Sequence, residues 1–175
     1  MENYVEIKNN ESSICAKCNG YCCRHMGCEL HPQDVFGKEI PTIEKLIEFL
    51  SCGLYQIDCW DGDIREDMGI DIGENDEYYY RSYYLRPKHT NSNRLFNASW
   101  GGTCIFFEDG KGCKLDWQHR PYGGKALVAN EEKKCHSSYG KVKAALDWLP
   151  YHDMIEDVLD AFIERKADGT FLFDI

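Results

Sequence analysis

The chain has 175 residues, of which 43% are hydrophobic and 29% are charged. This composition excludes wholesale disorder, and the length suits a single domain spanning residues 1–175. Asp and Glu total 30 and Lys and Arg total 20, for a net charge of −10. A field of that sign repels phosphate backbones, so general nucleic-acid binding is not expected.

Neither membrane insertion nor export is predicted. Unbroken apolar runs, such as residues 126–129, are far shorter than the roughly 20 residues of a membrane helix. Residues 1–6 contain neither the basic nor the apolar segment of a signal peptide. We therefore expect a cytoplasmic protein that does not contact a membrane.

Helix signals follow a polar lead-in and a cysteine-rich segment at residues 15–28. Pro32 suits the first position of a helix and Gly37 suits its end. Apolar residues in 43–50 then recur at i, i+3, i+4 and i+7, which predicts an amphipathic helix with one buried stripe that ends near Gly53.

Strand signals occupy the middle of the chain. Residues 54–60 and the tyrosine-rich residues 78–87 are predicted strands. The acidic residues 62–77 between them do not match a calcium loop and are interpreted as a solvated loop or hairpin tip. Basic residues on and after the second strand suit either a site for an anionic partner or single-stranded nucleic acid or the polar face of a sheet, and the polar face is favoured: Arg81, Arg86, Lys88, His89 and Arg94.

A second hairpin is predicted over residues 104–115, with Asp109-Gly110 as a two-residue turn. That register sets Phe106 opposite Cys113 and directs Cys104 and Cys113 to one face. Two helical stripes follow, at residues 142–149 and 155–163, separated by Pro150. The fold class is therefore α+β: a short antiparallel sheet, an N-terminal cysteine-rich loop and C-terminal helices.

Ten cysteines are the most informative feature of the composition. A secreted chain would pair them in disulfides, whereas clustered cysteines in a reducing compartment more often bind metal. Because no export signal is predicted, we favour metal. Cys52 and Cys59 stand alone in a helix end and a strand, where cysteine is commonly a small buried hydrophobe.

The spacing of the remaining cysteines indicates a metal site. Two residues between Cys15 and Cys18 form a tight turn that directs both thiolates at one ion. The Asn19-Gly20 turn returns the chain, so that Cys22 or Cys23 approaches the same site. Because adjacent residues point in different directions, either one of this pair is a spectator or the site holds more than one metal atom. The predicted ligands are Cys15, Cys18, Cys22, Cys23, Cys104, Cys113 and Cys135.

The identity of the metal is left open by the spacing. Thiolates suit both zinc and iron–sulfur clusters, and zinc is favoured because it needs no assembly machinery. Cys28 and His31 form a further zinc bite. His31 precedes Pro32 at a predicted helix start, however, so a capping role is favoured and neither residue joins the ligand set.

Two motifs resemble one known family. Cys15-x-x-Cys18-x-x-x-Cys22-Cys23-Arg24, followed by the 104–115 hairpin and Arg120-Pro121, is similar to the cysteine-cluster proteins described as a zinc- or iron-chelating domain. Members commonly carry a cysteine shortly after the Arg-Pro. This chain has Gly123 and Gly124 there, and glycines let a backbone approach a neighbour closely. The resemblance implies that the ligand position is empty unless Cys135 fills it.

A weaker resemblance is to the cysteine cluster of flagellin lysine methylases. The chain contains no glycine-rich strand–helix loop of the kind that cradles S-adenosylmethionine. The sequence therefore predicts a metal-binding protein that chelates zinc, or iron or an iron–sulfur cluster. Its alternatives are an iron–sulfur or methylase-like enzyme and a metal-stapled interaction module, with an unidentified protein or small-molecule partner.

Overall fold

The computed structural model describes residues 17–25, 27–98, 101–128, 132 and 135–167, with side chains as far as Phe162. Its first two helices are short: α1 spans Tyr21–His25 and α2 spans Pro32–Phe36. The predicted start and end of α2 are confirmed, because Pro32 occupies its first turn and Gly37, at φ 60°, ends it.

Helix α3 spans Ile43–Ser51 and confirms the predicted amphipathic helix. Thr42 caps its N-terminus by accepting a hydrogen bond from the Lys45 N–H at 3.4 Å. Leu46 and Leu50, one turn apart on the apolar stripe, are both fully buried. Burial of that stripe is what holds this short helix in place, since isolated helices of this length are marginal.

Strand β1 spans Tyr55–Asp61 and pairs along its whole length with the antiparallel β2, Arg81–Pro87. Both predicted strands are confirmed, although β2 begins later than the tyrosine-rich pattern does. The reason lies in the connection, where the Tyr79 N–H donates to the Asp63 carboxylate at 3.0 Å instead of to a neighbouring strand. The same Asp63 caps a short helix, α4, at Ile64–Asp67, within the predicted loop.

The acidic connection between β1 and β2 is organised by Asp63, which is 1% exposed. Hydrogen bonds from the Arg65 side chain, at 2.7 and 2.9 Å, and from the Tyr79 backbone lower the pKa of Asp63 to about 2. Because this folded pKa lies below that of the unfolded chain, the stabilisation is present above pH ~4 and is lost as the pH falls through ~2.

We therefore expect Asp63→Asn to lower the free energy of unfolding by about 2 kcal/mol at neutral pH, and by much less near pH 2. Urea unfolding across that pH range measures the difference. Asp76→Asn is the matched control, because Asp76 is exposed and lies 3.9 Å from the same guanidinium. An equal loss for Asp63→Asn at both pH values would show that ionisation of Asp63 contributes nothing.

The second half of the chain contains two more short antiparallel pairs and the long helices. Strand β3 (Phe107–Glu108) pairs with β4 (Gly112–Cys113), and β5 (Leu127–Val128) pairs with β6 (His136–Ser137). A 3₁₀ turn at Trp117–His119 and helix α5 at Tyr122–Lys125 lie between the pairs. Helices α6 (Lys141–Trp148) and α7 (His152–Ala167) complete the chain.

The break that Pro150 predicts between the last two helices is confirmed. A 3₁₀ turn at Leu149–Tyr151 separates α6 from α7. The predicted stop at Gly169 lies outside the described residues. Within the described part of the chain, no helix combines the length and apolarity that a membrane span requires.

The core lies where α6 packs on β2 and α3 packs on α7. Trp148 is fully buried, and its indole N–H donates to the Leu30 carbonyl at 2.8 Å. The Leu30 N–H in turn donates to the Leu85 carbonyl in β2 at 2.8 Å. The helices and short antiparallel sheets confirm the α+β class, and the Leu30 contacts fix the segment that carries Cys28 against the sheet.

Candidate metal centre

The hairpin that carries Cys104 and Cys113 forms, but the predicted register is wrong. Phe107, not Phe106, pairs with Cys113, because the connection has three residues instead of two. The Lys111 N–H donates to the Glu108 carbonyl at 3.1 Å, with Gly110 at φ 76° in the third position of that turn. Glycine suits this position because a side chain disfavours positive φ.

The new register leaves Cys104 outside the β3–β4 pair. Cys104 instead forms a bridge with His89, just beyond the end of β2. A turn closed by the Phe107 N–H and the Cys104 carbonyl, at 2.9 Å, then leads into the hairpin. The thiol of Cys113 still contributes to the raised pKa of Cys104. The two thiols therefore interact electrostatically, and a turn, not strand pairing, connects Cys104 to the hairpin.

The N-terminal cysteine segment docks on this hairpin through backbone contacts. The Cys104 N–H donates to the Cys23 carbonyl at 2.7 Å, and the Gly102 N–H donates to the His25 carbonyl at 3.1 Å. At the far end, the Gly110 N–H donates to the Asn19 side-chain oxygen at 3.2 Å. Segments that lie about 80 residues apart in sequence are therefore joined at both ends of α1.

Side chains reinforce the same docking. The Arg24 guanidinium pairs with Asp109 and lies 4.9 Å from the centre of the Phe107 ring. Gly20, at φ 59°, lies so close to that ring that a Cβ would come within 2.4 Å of it. Only glycine allows this approach of the chain to the hairpin.

Three thiols in this junction, Cys22, Cys23 and Cys104, have pKa values shifted in part by neighbouring thiols. A hydrogen bond from Cys23 lowers the pKa of Cys22 to about 6, and the same bond together with burial raises the pKa of Cys23. Burial raises the pKa of Cys104 to about 11, with contributions from Cys113 and Cys22. Each member of the Cys22–Cys23 pair therefore interacts electrostatically with at least one hairpin thiol.

A fifth thiol, Cys28, belongs to this cluster although it is outside the predicted ligand set. Burial raises its pKa, and the thiols of Cys104 and Cys113 raise it further. Its sulfur lies against α5, where a Cβ on Gly124 would come within 3.2 Å of it. The expectation that Gly123 and Gly124 permit a close approach is confirmed, since a Cβ on Gly123 would come within 2.6 Å of the Glu29 carbonyl oxygen.

The capping role predicted for His31 is confirmed. Its Nδ1 accepts a hydrogen bond from the Gln33 N–H at 3.0 Å, and the Asp34 carboxylate accepts one from the His31 N–H at 2.9 Å. The only sequence feature that indicated a role for Cys28 was its spacing from His31. In the structure His31 caps a helix and is not a partner of the Cys28 thiol. The neighbours of Cys28 come from distant residues instead.

The remaining cysteines comprise three predicted ligands, Cys15, Cys18 and Cys135, and two that are not predicted as ligands, Cys52 and Cys59. Cys15 lies outside the described residues, and Cys18 is partly buried just before α1. Cys135 is partly buried and directly precedes β6. Cys52 caps the C-terminus of α3, as predicted, but is exposed, and Cys59 lies in β1 opposite Tyr83.

All nine cysteines in the described part of the chain are free thiols. Across residues 17–25, 27–98, 101–128, 132 and 135–167, no three Cys, His, Asp or Glu side chains are arranged as a metal site requires. The five clustered thiols are soft donor groups, and they are not arranged in coordination geometry.

The basic residues beside this cluster do not form the polar sheet face predicted for them. Arg86, Lys88 and His89 are buried, whereas Arg81 and Arg94 are exposed. Arg86 is held by an ion pair to Asp58 with an Nε–Oδ2 distance of 2.7 Å. In the β1–β2 register Asp58 is opposite Tyr84, one diagonal step from Arg86. The partner of the buried arginine thus comes from the other strand.

Comparison with known proteins identified no relative of this chain. The sequence matches no protein-family profile, and no curated protein or solved structure is significantly similar to it. The resemblance to the zinc- or iron-chelating proteins stays a prediction, and the function has to be argued from the residues themselves.

Proposed function

We propose that the protein binds a metal through cysteine thiolates at the junction between its N-terminal segment and its hairpin. One observation supports the proposal: five thiols from two segments distant in sequence, residues 22–28 and the hairpin, lie near the Cys23–Cys104 backbone hydrogen bond. Isolated buried cysteines are common, but five free ones in a single junction are not explained by packing. The nine free cysteines of the described chain suit a reducing compartment such as the cytoplasm.

The donor set indicates the class of metal. Thiolates are soft ligands that select zinc, copper(I) and iron–sulfur clusters. Zinc is our first choice, since a closed set of thiolates is the usual structural zinc site. Coordination releases the thiol protons, so metal binding would replace the hydrogen bond that Cys23 now donates to Cys22.

The ligands we assign are Cys104, Cys113, one of the Cys22–Cys23 pair, and Cys28. Cys28 takes the role that the sequence indicates for Cys135. Its thiol contacts Gly124, in the region where the resembling proteins carry a cysteine, and is influenced by both hairpin thiols. Cys15 and Cys18 become further ligands if the site holds a cluster or a second metal atom.

Metal content per chain tests the proposal. We expect the full-length protein, purified anaerobically, to contain about one zinc, and Cys104→Ser and Cys113→Ser to bind it more than ~10-fold more weakly, because each loses a thiolate. Cys52→Ser is the matched control at an exposed position. Elemental analysis of all four proteins, with visible absorption to detect iron–sulfur, gives the readout. Equal zinc in Cys104→Ser and Cys52→Ser would overturn the site.

The same measurement separates Cys28 from Cys135. Cys28→Ala is expected to lose metal like the hairpin variants, whereas Cys135→Ala is expected to retain it. The opposite result would restore Cys135 as the replacement ligand. If both variants retain full metal, the N-terminal Cys15 and Cys18 supply the missing thiolates.

A further inference from the structure

We propose that a polar cleft beside the cysteine cluster binds a small hydrophilic organic anion carrying a phosphate or carboxylate group. The cleft has a volume of about 640 Å³ and lies between the chain that follows β2 and the chain that leads to Cys104. We call it the anion cleft. The residues that line it include Arg24, His89, Asn91, Asn93, Arg94 and Gly102.

The charge of the anion cleft is opposite to that of the chain. Acidic residues outnumber basic ones by 30 to 20 overall, yet the described lining contains two arginines and no Asp or Glu. Arg24 is already paired with Asp109. Arg94 is exposed, and its guanidinium makes no ion pair or hydrogen bond with any described residue. An uncommitted guanidinium fork matches the two oxygens of a carboxylate or phosphate.

The rest of the lining indicates what is attached to the anionic group. The carboxamides of Asn91 and Asn93 offer both donors and acceptors, and hydroxyls of Ser and Thr lie between them. Such a lining binds hydroxyl or amide groups and not an apolar tail. A cavity of about 640 Å³ also exceeds the size of a bare phosphate and falls within the range of small-molecule sites.

His89 forms part of the floor of the anion cleft. It is 6% exposed, and its Nε2 accepts a hydrogen bond from the Arg86 guanidinium. The ring is therefore held in place from below by a buried arginine.

Gly102 packs directly on the His89 ring. It adopts φ 147°, and a Cβ at this position would come within 2.3 Å of the Nδ1 of His89. Only glycine therefore allows the chain that leads to Cys104 to lie this close to the floor of the cleft. Because Gly102 and Thr103 lead directly into Cys104, a ligand here would lie beside the cysteine cluster, but none of the groups that line the anion cleft is a proposed metal ligand.

Binding of defined anions to the full-length chain tests this inference. The probes are glycerol 3-phosphate and citrate, with inorganic phosphate as the bare anion and glycerol as the neutral control, measured by isothermal titration calorimetry. We expect one organic anion to bind with 1:1 stoichiometry more tightly than inorganic phosphate, and glycerol not to bind. A preference for glycerol 3-phosphate assigns a phosphate ligand, and a preference for citrate assigns a carboxylate ligand.

Two variants locate the binding. Arg94→Gln is expected to weaken it at least 10-fold, and Asn91→Asp to abolish it by adding a negative charge at constant size. Arg81→Gln is the matched control, since Arg81 is equally exposed but lies on β2 outside the cleft. Equal weakening by Arg94→Gln and Arg81→Gln, or no binding of any anion to the parent, would overturn the inference. Unchanged zinc in Arg94→Gln keeps this result separate from that for the metal.

Discussion

If the protein binds zinc as proposed, removal of the zinc is expected to lower its melting temperature by at least ~10 °C. Structural zinc sites contribute about 10 kcal/mol or more to small domains, and here the loss of even ~3 kcal/mol would produce this shift. The reason is local: β3 and β4 have two residues each. The N-terminal segment contacts the hairpin through a few hydrogen bonds, the packing of Gly20 and Arg24 on Phe107, and the exposed Arg24–Asp109 pair. Exposed ion pairs contribute little to stability.

Differential scanning calorimetry before and after chelation, and again after zinc is restored, measures the effect. Cys104→Ser is the control, because it should melt at the temperature of the chelated parent, and addition of chelator should not lower that temperature further. Limited trypsin digestion adds a local readout at Lys111, which is exposed on the hairpin turn and should be cut faster without metal. Unchanged melting after complete metal removal would show that the metal does not hold the junction together.

The elements that sequence predicts well are those set by neighbouring residues. Helix α2 is bounded by Pro32 and Gly37, and α3 by its apolar stripe and the Thr42 cap, so each boundary signal lies within one turn of what it controls. Pro150 similarly separates α6 from α7 through its own backbone chemistry. These helix boundaries could be predicted because they depend on neighbouring residues and not on contacts with distant parts of the chain.

The hairpin shows where such reasoning fails. Asp109-Gly110 is a strong signal for a two-residue turn, but Gly112 adopts a positive φ as readily as Gly110 does. A three-residue connection is therefore open to this chain, and it shifts Cys113 by one position along the partner strand. The spacing of Gly110 and Gly112 permits both the two-residue and the three-residue connection. We infer that docking of the hairpin against residues 17–25 selects the three-residue one.

Cys28 and Arg86 could not be assigned from local sequence for the same physical reason. The neighbours of Cys28 are Gly124 and the hairpin thiols, and the partner of Arg86 is Asp58 on another strand. A run of basic residues usually marks a solvated face. Here the strand is covered on both faces, so the charges need partners that only the folded chain provides.

Replacement of Arg86 by Met is expected to lower the free energy of unfolding by about 3–5 kcal/mol, because it leaves Asp58 as a buried charge without its partner. The side chains of Arg86 and Asp58 are 4% and 3% exposed. The guanidinium also donates to the Asn97 carbonyl at 3.0 Å, and to the Gln56 side-chain oxygen at 2.9 Å once that amide is oriented to accept. Urea unfolding at neutral pH gives the value, with Arg81→Met, exposed on the same strand, as the control.

The pH dependence of that loss identifies its cause. Burial raises the pKa of Asp58 even with Arg86 beside it, so Asp58 favours the folded state most at low pH, and this contribution is lost as the pH rises through its folded pKa. Without Arg86 the pKa of Asp58 rises further. The loss of unfolding free energy caused by Arg86→Met should therefore shrink as the pH is lowered and Asp58 becomes protonated. Asp58→Asn should recover part of the loss when combined with Arg86→Met, because it removes the orphaned charge. A double variant whose cost equals the sum of the single costs would instead show that the two side chains act independently, and that packing of the arginine stem accounts for its stabilising effect.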